Sequence, residues 1–330
     1  MSIKRAPAER GNIFPESYHR RDRKRFTADD LELIGISLPT VIWYLAFCYV
    51  PMFGIVFAFK KWKMKPGKGF LYSLFVNSNW VGFENFKFLF FNPKMGDYLA
   101  NTLVYNIIFL LIGITFPVAL AIAISYMYSS KLRKVCQTST FLPHFLSWVV
   151  ISYFVYAFLS TDRGLLNNMI INAGGTPIKW YQDTKPWPFI LIFLNTWKTF
   201  GYSMVVYMAS ITGFDQSMYE SAVIDGATIW QQIKGITLPL LRPILSIMFI
   251  LNVGNIFTSE FGLFYHVTRD SASLASATTT IDVYVYKALM EDKNYGYSSA
   301  TSLLQNVIGC ILIIITNLAV KKIDPNSGLF

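Results

Sequence analysis

The sequence predicts an all-α membrane protein with six transmembrane helices. Only 15% of the 330 residues are charged and 53% are apolar, whereas about 25% of the residues of a typical soluble protein are charged. Six long stretches carry no charged residue or a single one, and about 20 apolar residues suffice for a helix to span a bilayer core of about 30 Å. The short alternating segments that indicate a transmembrane β-barrel are missing from the sequence.

The predicted spans follow these stretches in chain order. The fourth stretch contains only Lys198 and the fifth only Glu260, and the other four have no Asp, Glu, Lys or Arg. A soluble helix of such length would need charged side chains on its exposed face. The predicted spans are residues 33–59, 98–128, 138–159, 188–212, 243–259 and 297–320.

The charged residues lie between these spans. Residues 1–32 form a polar leading segment whose arginine cluster, 20–25, favours the cytoplasmic side. The basic loop 129–134 favours the same orientation, but the lysine-rich loop 60–97 opposes it. Charge alone therefore leaves the orientation open. The first apolar stretch is longer than the apolar part of a signal peptide, so we expect it to remain as an anchor.

The distribution of residue types excludes several classes of protein. The net charge of +10 is divided among loops by long uncharged stretches, which argues against a nucleic-acid-binding surface. The three Cys residues form no C-x-x-C pair, and the three His residues have no metal-ligand spacing. We therefore expect no metal site and no catalytic set, and we interpret His144 as a structural hydrogen-bonding residue.

The polar segment 213–243 joins the fourth and fifth spans and is predicted to form two short helices. Asp225-Gly226 ends the first helix, since glycine readily adopts a positive φ at a helix end. Residues 228–234 suit a second short helix. Pro239 and Pro243 then mark the beginning of the fifth span, where a missing N–H group is tolerated.

This segment resembles the cytoplasmic EAA loop of importer-type ABC permeases, whose pattern is E-A-A-x-x-D-G-A followed by I-x-L-P-x-x-x-P. The positions that match are Glu220, Ala222, Asp225, Gly226, Ala227, Ile236, Leu238, Pro239 and Pro243. Ser221 and Ile233 depart from the pattern, in which Ala and Phe are usual. From about residue 33 onwards the chain is similar to the maltose-type oligosaccharide permeases, and among these to the lipoprotein-system and alginate-oligosaccharide branch. The segments that carry this wider similarity are 51–54, 81–86, 101–103 and 197–201.

The resemblance implies a type I ABC importer permease fold with cytoplasmic N and C termini, in the inner or plasma membrane of a prokaryote. It implies a second homologous permease subunit, two ATPase subunits, an external or periplasmic solute-binding protein and an oligosaccharide substrate, all within membrane lipid. ATP and Mg²⁺ would bind the ATPase subunits, because the chain has no G-x-x-x-x-G-K-[ST] loop. We therefore expect this chain to hold no cofactor and to have no ATPase site of its own. The residues expected to couple it to the ATPases are Glu220, Ser221, Ala222, Asp225, Gly226, Ala227, Leu238 and Pro239.

Polar and aromatic side chains within the spans are candidates for the transport pathway, because each costs free energy in lipid unless it is paired or hydrated. The candidates are Tyr153, Tyr156, Asn195, Trp197, Lys198, Asn252, Asn255 and Glu260. For each of them a hydrogen bond between helices or an interfacial position is the alternative. Lys198 either pairs with a backbone carbonyl or faces the carboxylate of a uronic acid.

Several alternatives remain for the function. A secondary transporter would show buried acidic pairs, and an integral-membrane enzyme would need a clustered catalytic set. The substrate is either an acidic, alginate-like oligosaccharide or a neutral one. The lysines at 60, 61, 63, 65 and 68 either contact solvent and headgroups or form a basic vestibule that attracts an anionic sugar.

Overall fold

A computed structural model describes residues 28–63, 67–69 and 72–329, so the arginine cluster 20–25 and Lys65 lie outside the described residues. The chain divides into two units, residues 1–54 and 55–330. In the first unit, α1 (Ala28–Tyr44) continues through a π-helical turn, Leu45–Tyr49, into α2 (Val50–Met52). A 3-10 helix, Phe53–Phe59, follows, and the whole apolar run from Asp30 to Phe59 is 30 residues long, sufficient for one span.

The second unit is almost entirely helical. A short antiparallel pair, β1 (Lys60–Lys61) and β2 (Asn79–Trp80), precedes the helices. These are α3 (Glu84–Phe91), α4 (Met95–Ser125), α5 (Ser130–Phe141), α6 (Trp148–Leu159), α7 (Leu165–Asn172), α8 (Trp187–Thr212), α9 (Gln216–Ile224), α10 (Ile229–Gln232), α11 (Leu238–Gly254), α12 (Ala275–Thr278), α13 (Ile281–Met290) and α14 (Tyr295–Ile323). In the described part of the chain, 5 helical runs are long and apolar enough to span a membrane, or 6 if the bent pair α5–α6 is one span.

The interval predicted as the third span, 138–159, is divided by a sharp bend. The helical run that ends at Phe145 and α6 differ in direction by 97°. Ser147 begins the new helix, and its Oγ accepts a hydrogen bond from the N–H of Val150 at 3.2 Å. Gly201 of α8 permits close packing beside the bend, because a Cβ there would lie 2.0 Å from the carbonyl oxygen of Thr140.

Two apolar cores lie at opposite ends of the packed pair α4 and α8. The core near the beginning of α8 contains Trp187, Leu191 and Phe264. The core near the end of α8 contains Met204 and Tyr207. Following the predicted orientation, we call the first the outer end of this unit and the second the cytoplasmic end.

Side-chain hydrogen bonds link separate segments at the outer end. The Nδ2 of Asn101 on α4 donates to the carbonyl of Thr279 at 3.1 Å. One turn further, the hydroxyl of Tyr105 donates to the carbonyl of Ala277 at 2.9 Å. These bonds give carbonyl groups of the segment between α11 and α13 the partners that they need, and they hold that segment against α4.

One lysine of the lysine-rich loop, Lys60, does not fit the interpretation of this loop as a basic vestibule. Lys60 is 8% exposed, and its Nζ donates to the carbonyl of Leu74 at 2.8 Å. The ammonium group also lies 5.5 Å from the centre of the Phe75 ring. Lys60 is thus a structural cation, and the inclusion of Lys60 in a solvent-facing basic vestibule was wrong.

Candidate coupling segment and transport pathway

The segment after α8 forms the short helix α9, a tight turn and then α10, which continues through a π-helical turn, Ile233–Thr237, into α11 as one helical run, Ile229–Gly254. The second short helix predicted at residues 228–234 is therefore the beginning of the fifth span, which starts earlier than the predicted residue 243. Asp215 caps α9, because its Oδ1 accepts the N–H of Ser217 at 3.0 Å. This hydrogen bond lowers the pKa of the exposed Asp215 carboxyl. Gly226 adopts φ 76° after the end of α9, a conformation that favours glycine. Thr228 then begins α10 with a capping box that it forms with Gln231.

Hydrogen bonds attach α9 to the cytoplasmic end of the unit. The hydroxyl groups of Tyr219 on α9 and Thr237, just before α11, are 3.1 Å apart. The Tyr126 hydroxyl, just beyond α4, lies 3.4 Å from the same Thr237 oxygen. Thr237 is fully buried, so this contact connects the segment with the beginning of α11.

The predicted coupling residues occupy the surface of this segment. Those with exposed side chains or backbone are Glu220, Ser221, Asp225, Gly226 and Leu238. Those that are half-buried are Ala222, Ala227 and Pro239. The structure thus places the motif positions on α9, on the turn that follows it and at the beginning of α11. Their roles in coupling stay predictions.

Sequence reasoning missed the apolar character of the surface around the motif. Ile224 at the end of α9 is 85% exposed, and Trp230 on α10 is 71% exposed. Met218, Val223 and Ile229 are also exposed. The signal was present in the sequence, since a tryptophan and three β-branched residues occur within an otherwise polar segment. Ile229 and Trp230 line an apolar groove with Ile114 and Val118 of α4. We call the other three residues, Met218, Val223 and Ile224 on α9, the apolar coupling surface.

Lys198 is held by a backbone partner. Its Nζ donates to the carbonyl of His144 at 2.9 Å, and it lies 5.3 Å from the centre of the Trp148 ring. The His144 ring stacks on Tyr202 with 4.9 Å between ring centres. This geometry matches the first of the two alternatives for Lys198, in which the ammonium group pairs with a carbonyl at the α5–α6 bend.

The other candidates of the pathway are divided between three places. On α8, Asn195 and Trp197 are half-buried, and Trp197 packs against the core of the outer end. On α11, the side-chain amides of Asn252 and Asn255 bond to carbonyls one turn earlier in their own helix, at 2.7 and 3.0 Å. Glu260 is exposed beyond the end of α11.

The remaining two candidates, Tyr153 and Tyr156, lie on α6. Both are exposed, Tyr153 by 67% of its surface. Arg269, which sequence reasoning did not single out, lies with its guanidinium carbon 4.1 Å from the centre of the Tyr156 ring. The tyrosines therefore share a surface with a loop cation that is 113 positions away from Tyr156 in the sequence.

Comparison with known proteins gives a consistent result. The family described as "Binding-protein-dependent transport system inner membrane component" matches residues 113–326. Protein LplB of Bacillus subtilis (strain 168) is 31% identical over 301 residues, which cover 91% of this chain and 92% of that protein. The polygalacturonan/rhamnogalacturonan transport system permease protein YteP of the same organism is 31% identical over 323 residues, which cover 97% and 98%.

Solved structures share the fold over nearly the whole chain. A chain from a bacterial ABC transporter involved in the import of the acidic polysaccharide alginate superposes with a TM-score of 0.78 at 30% identity, covering 90% of this chain and 97% of that one. The alginate transporter in complex with an alginate pentasaccharide-bound periplasmic protein gives a TM-score of 0.77 at 30% identity. The chain therefore belongs to the binding-protein-dependent transport system inner membrane components, and it is a multi-pass permease subunit of a sugar ABC importer with the type I permease fold.

Proposed function

We propose that this chain forms half of the translocation pathway of an ABC importer for an acidic oligosaccharide in the inner membrane of a prokaryote. A second homologous permease supplies the other half, and a solute-binding protein delivers the sugar from outside. ATP and Mg²⁺ bind two partner ATPase subunits, whose closure moves the coupling segment and switches the permease pair between two packings. A neutral oligosaccharide is the alternative substrate.

The apolar coupling surface is the observation that carries this proposal. Val223 and Ile224 expose large apolar areas on α9, which lies between two candidate membrane spans and belongs to neither. Exposed apolar patches with a polar rim are typical of protein interfaces. Glu220 and Asp225 supply such a rim on the same segment. An ATPase subunit with an apolar cleft is the partner that fits this surface.

Two observations favour an acidic substrate over a neutral one. A relative is described as a permease for polygalacturonan, which is a polymer of a uronic acid, and a structural neighbour imports the acidic polysaccharide alginate. In this chain, the guanidinium group of Arg269 lies beside the exposed tyrosines of α6. Cations among aromatic faces suit a charged sugar, because the rings pack against the pyranose faces while the cation pairs with the carboxylate.

The coupling proposal is tested with Ile224→Glu in the complete complex, reconstituted with its binding protein. We expect substrate-stimulated ATP hydrolysis and uptake to fall at least about tenfold, since truncating a central interface residue typically costs about 2 kcal/mol or more. Folding of the permease should not change, because the side chain is exposed. Met169→Glu is the matched control, since Met169 is exposed on α7 at the outer end. Full coupling in Ile224→Glu would contradict the proposal.

The substrate proposal is tested separately in the unmodified complex. Oligomannuronate and oligogalacturonate should stimulate ATP hydrolysis and enter the vesicles. If neither does so at any salt concentration, the substrate is not an acidic oligosaccharide of this kind. The assignment of the chain as a sugar permease would stand in that case.

A further inference from the structure

The backbone around Arg269 is held in a strained turn. Arg269 has φ 55° and Asp270 has φ 48°, and a non-glycine residue in this left-handed region costs about 1 kcal/mol or more. Hydrogen bonds within the turn fix it, because the N–H groups of Arg269 and Asp270 both donate at 3.1 Å, to the carbonyls of His266 and Tyr265. Strain of this kind persists only where the surrounding structure enforces it, and it is common at ligand-binding sites.

A second segment holds the turn from both sides. The Tyr181 hydroxyl donates to the carbonyl of Val267 at 3.4 Å, and the Ser271 hydroxyl donates to the carbonyl of Tyr181 at 3.0 Å. Burial raises the pKa of Tyr181 to about 12, so its hydroxyl stays protonated and remains a donor at neutral pH. Below the turn, Leu263 and Phe264 are fully buried in the core of the outer end. Arg269 therefore projects from a rigid support.

The acidic residues near the turn do not neutralise Arg269. Asp270 pairs with Lys287, with 2.5 Å between Nζ and Oδ1. Among the described residues, no carboxylate forms an ion pair with Arg269, whose guanidinium group lies on the Tyr156 ring. Stacking on an aromatic face leaves the N–H groups at the edge of the guanidinium plane available for an anion.

A cavity of about 290 Å³ opens beside this cation. Its walls are Val149, Ser152 and Tyr153 of α6 and residues 265, 266, 269 and 270 of the opposite loop. This volume lies just below the range for sites of drug-sized molecules, which begins at about 300 Å³. It suits one sugar unit of a longer chain. The cavity offers a hydroxyl group, two tyrosines and a histidine around the arginine, which are groups that bind the faces and hydroxyls of a pyranose.

We propose that this cavity is a subsite for a single uronic acid residue, whose carboxylate is bound by the guanidinium group of Arg269. This proposal rests on the proposed function, because it assigns to Arg269 the recognition of the carboxylate that distinguishes an acidic oligosaccharide from a neutral one. A planar guanidinium group forms two parallel hydrogen bonds with a carboxylate. A neutral sugar would leave it unpaired.

The subsite is tested by direct binding of oligomannuronate and oligogalacturonate to the purified complex without its binding protein. The same oligosaccharides with their carboxyl groups reduced to hydroxymethyl groups serve as uncharged probes. Arg269→Gln should weaken uronate binding about tenfold or more, because a hydrogen bond to a charged group contributes about 1.5–3 kcal/mol. Binding of the reduced probes should not change. Arg269→Lys should lose less than Arg269→Gln, and Arg163→Gln, at an exposed arginine of another loop, should have no effect.

The outcomes separate this subsite from the function on which it rests. If the unmodified complex imports uronates and Arg269→Gln binds them as well as before, the subsite is wrong and the proposed function stands. If Arg269→Gln weakens both kinds of probe equally, Arg269 serves only to support α6 through Tyr156. If the unmodified complex neither imports nor binds uronates, the acidic substrate is wrong and the subsite is wrong with it.

Discussion

The outer and cytoplasmic ends of the helical unit are stabilised in different ways. At the outer end, buried side chains bond to the backbone of distant segments, as Tyr105 does to the carbonyl of Ala277, 172 positions along the chain. At the cytoplasmic end, the polar contacts of the coupling segment are largely local, such as the cap that Thr228 forms with Gln231. The apolar side chain of Ile224 remains exposed there.

This difference indicates a division of roles. A network of bonds between segments fixes the relative positions of loops, which a binding site for a sugar needs before the ligand arrives. The coupling segment is capped locally and bonded to the beginning of α11 through Tyr219 and Thr237, and its apolar side chains remain exposed. The outer end is therefore preorganised, and the coupling segment leaves an apolar surface available to the ATPase subunit that we propose as its partner.

The largest expected effect comes from removing one buried amide at the outer end. Asn167 on α7 is 1% exposed, its Nδ2 donates to the carbonyl of Ile178 at 2.8 Å, and its Oδ1 accepts the N–H of Ile178 at 3.0 Å. Its Oδ1 also accepts the indole N–H of Trp180 at 3.2 Å. Asn167→Leu leaves these buried groups unpaired and should lower the free energy of unfolding by about 3 kcal/mol. Thermal unfolding of the purified permease pair measures this.

The neighbouring asparagine provides the control. Asn168 is exposed, so Asn168→Leu should change the free energy of unfolding by no more than about 0.5 kcal/mol. Equal unfolding temperatures for the two variants would contradict the idea that buried amides fix the outer end.

A comparable change at the cytoplasmic end should have a smaller and more local effect. In Thr228→Ala the N–H of Gln231 loses its cap, and the loss of such a cap costs about 1 kcal/mol. Hydrogen exchange should accelerate in α10, while the unfolding temperature of the whole unit should change little. Thr228→Ser keeps the hydroxyl and should behave like the unmodified chain. A fall in unfolding temperature as large as that of Asn167→Leu would show that the coupling segment is not locally stabilised.

The features that the sequence predicted correctly depend on residues that are close together in the chain. The spans were predictable because uncharged length is a property of consecutive residues, and the turn at Gly226 because glycine, here at φ 76°, marks helix ends. The 97° bend before α6 was not predicted, since it depends on how α5 packs on α8 at Gly201. The strained turn at Arg269 was also missed, because Tyr181 holds it from a distant segment. Contacts between distant residues leave no periodic pattern in a single sequence.

The smallest expected effect is on the pH dependence of the outer end. Asp282 on α13 accepts hydrogen bonds at its Oδ2 from the N–H and hydroxyl of Ser259, at 2.6 and 2.8 Å. Burial raises the pKa of the Asp282 carboxyl above its usual 3.8, and the two bonds from Ser259 oppose this rise. The folded chain therefore holds this proton more tightly than the unfolded chain does.

It follows that the protonated carboxyl favours folding and that this contribution is lost as the pH rises from the unfolded pKa of about 3.8 through the higher folded pKa. In Asp282→Asn the titrating group is gone, so unfolding temperatures measured between about pH 4 and pH 7 should fall less with rising pH than in the unmodified chain. Asp292→Asn, at an exposed carboxyl, should keep the original slope. If Asp282→Asn instead made the unfolding temperature fall more steeply with rising pH, the bonds from Ser259 would outweigh burial. The charged Asp282 carboxylate would then stabilise the outer end.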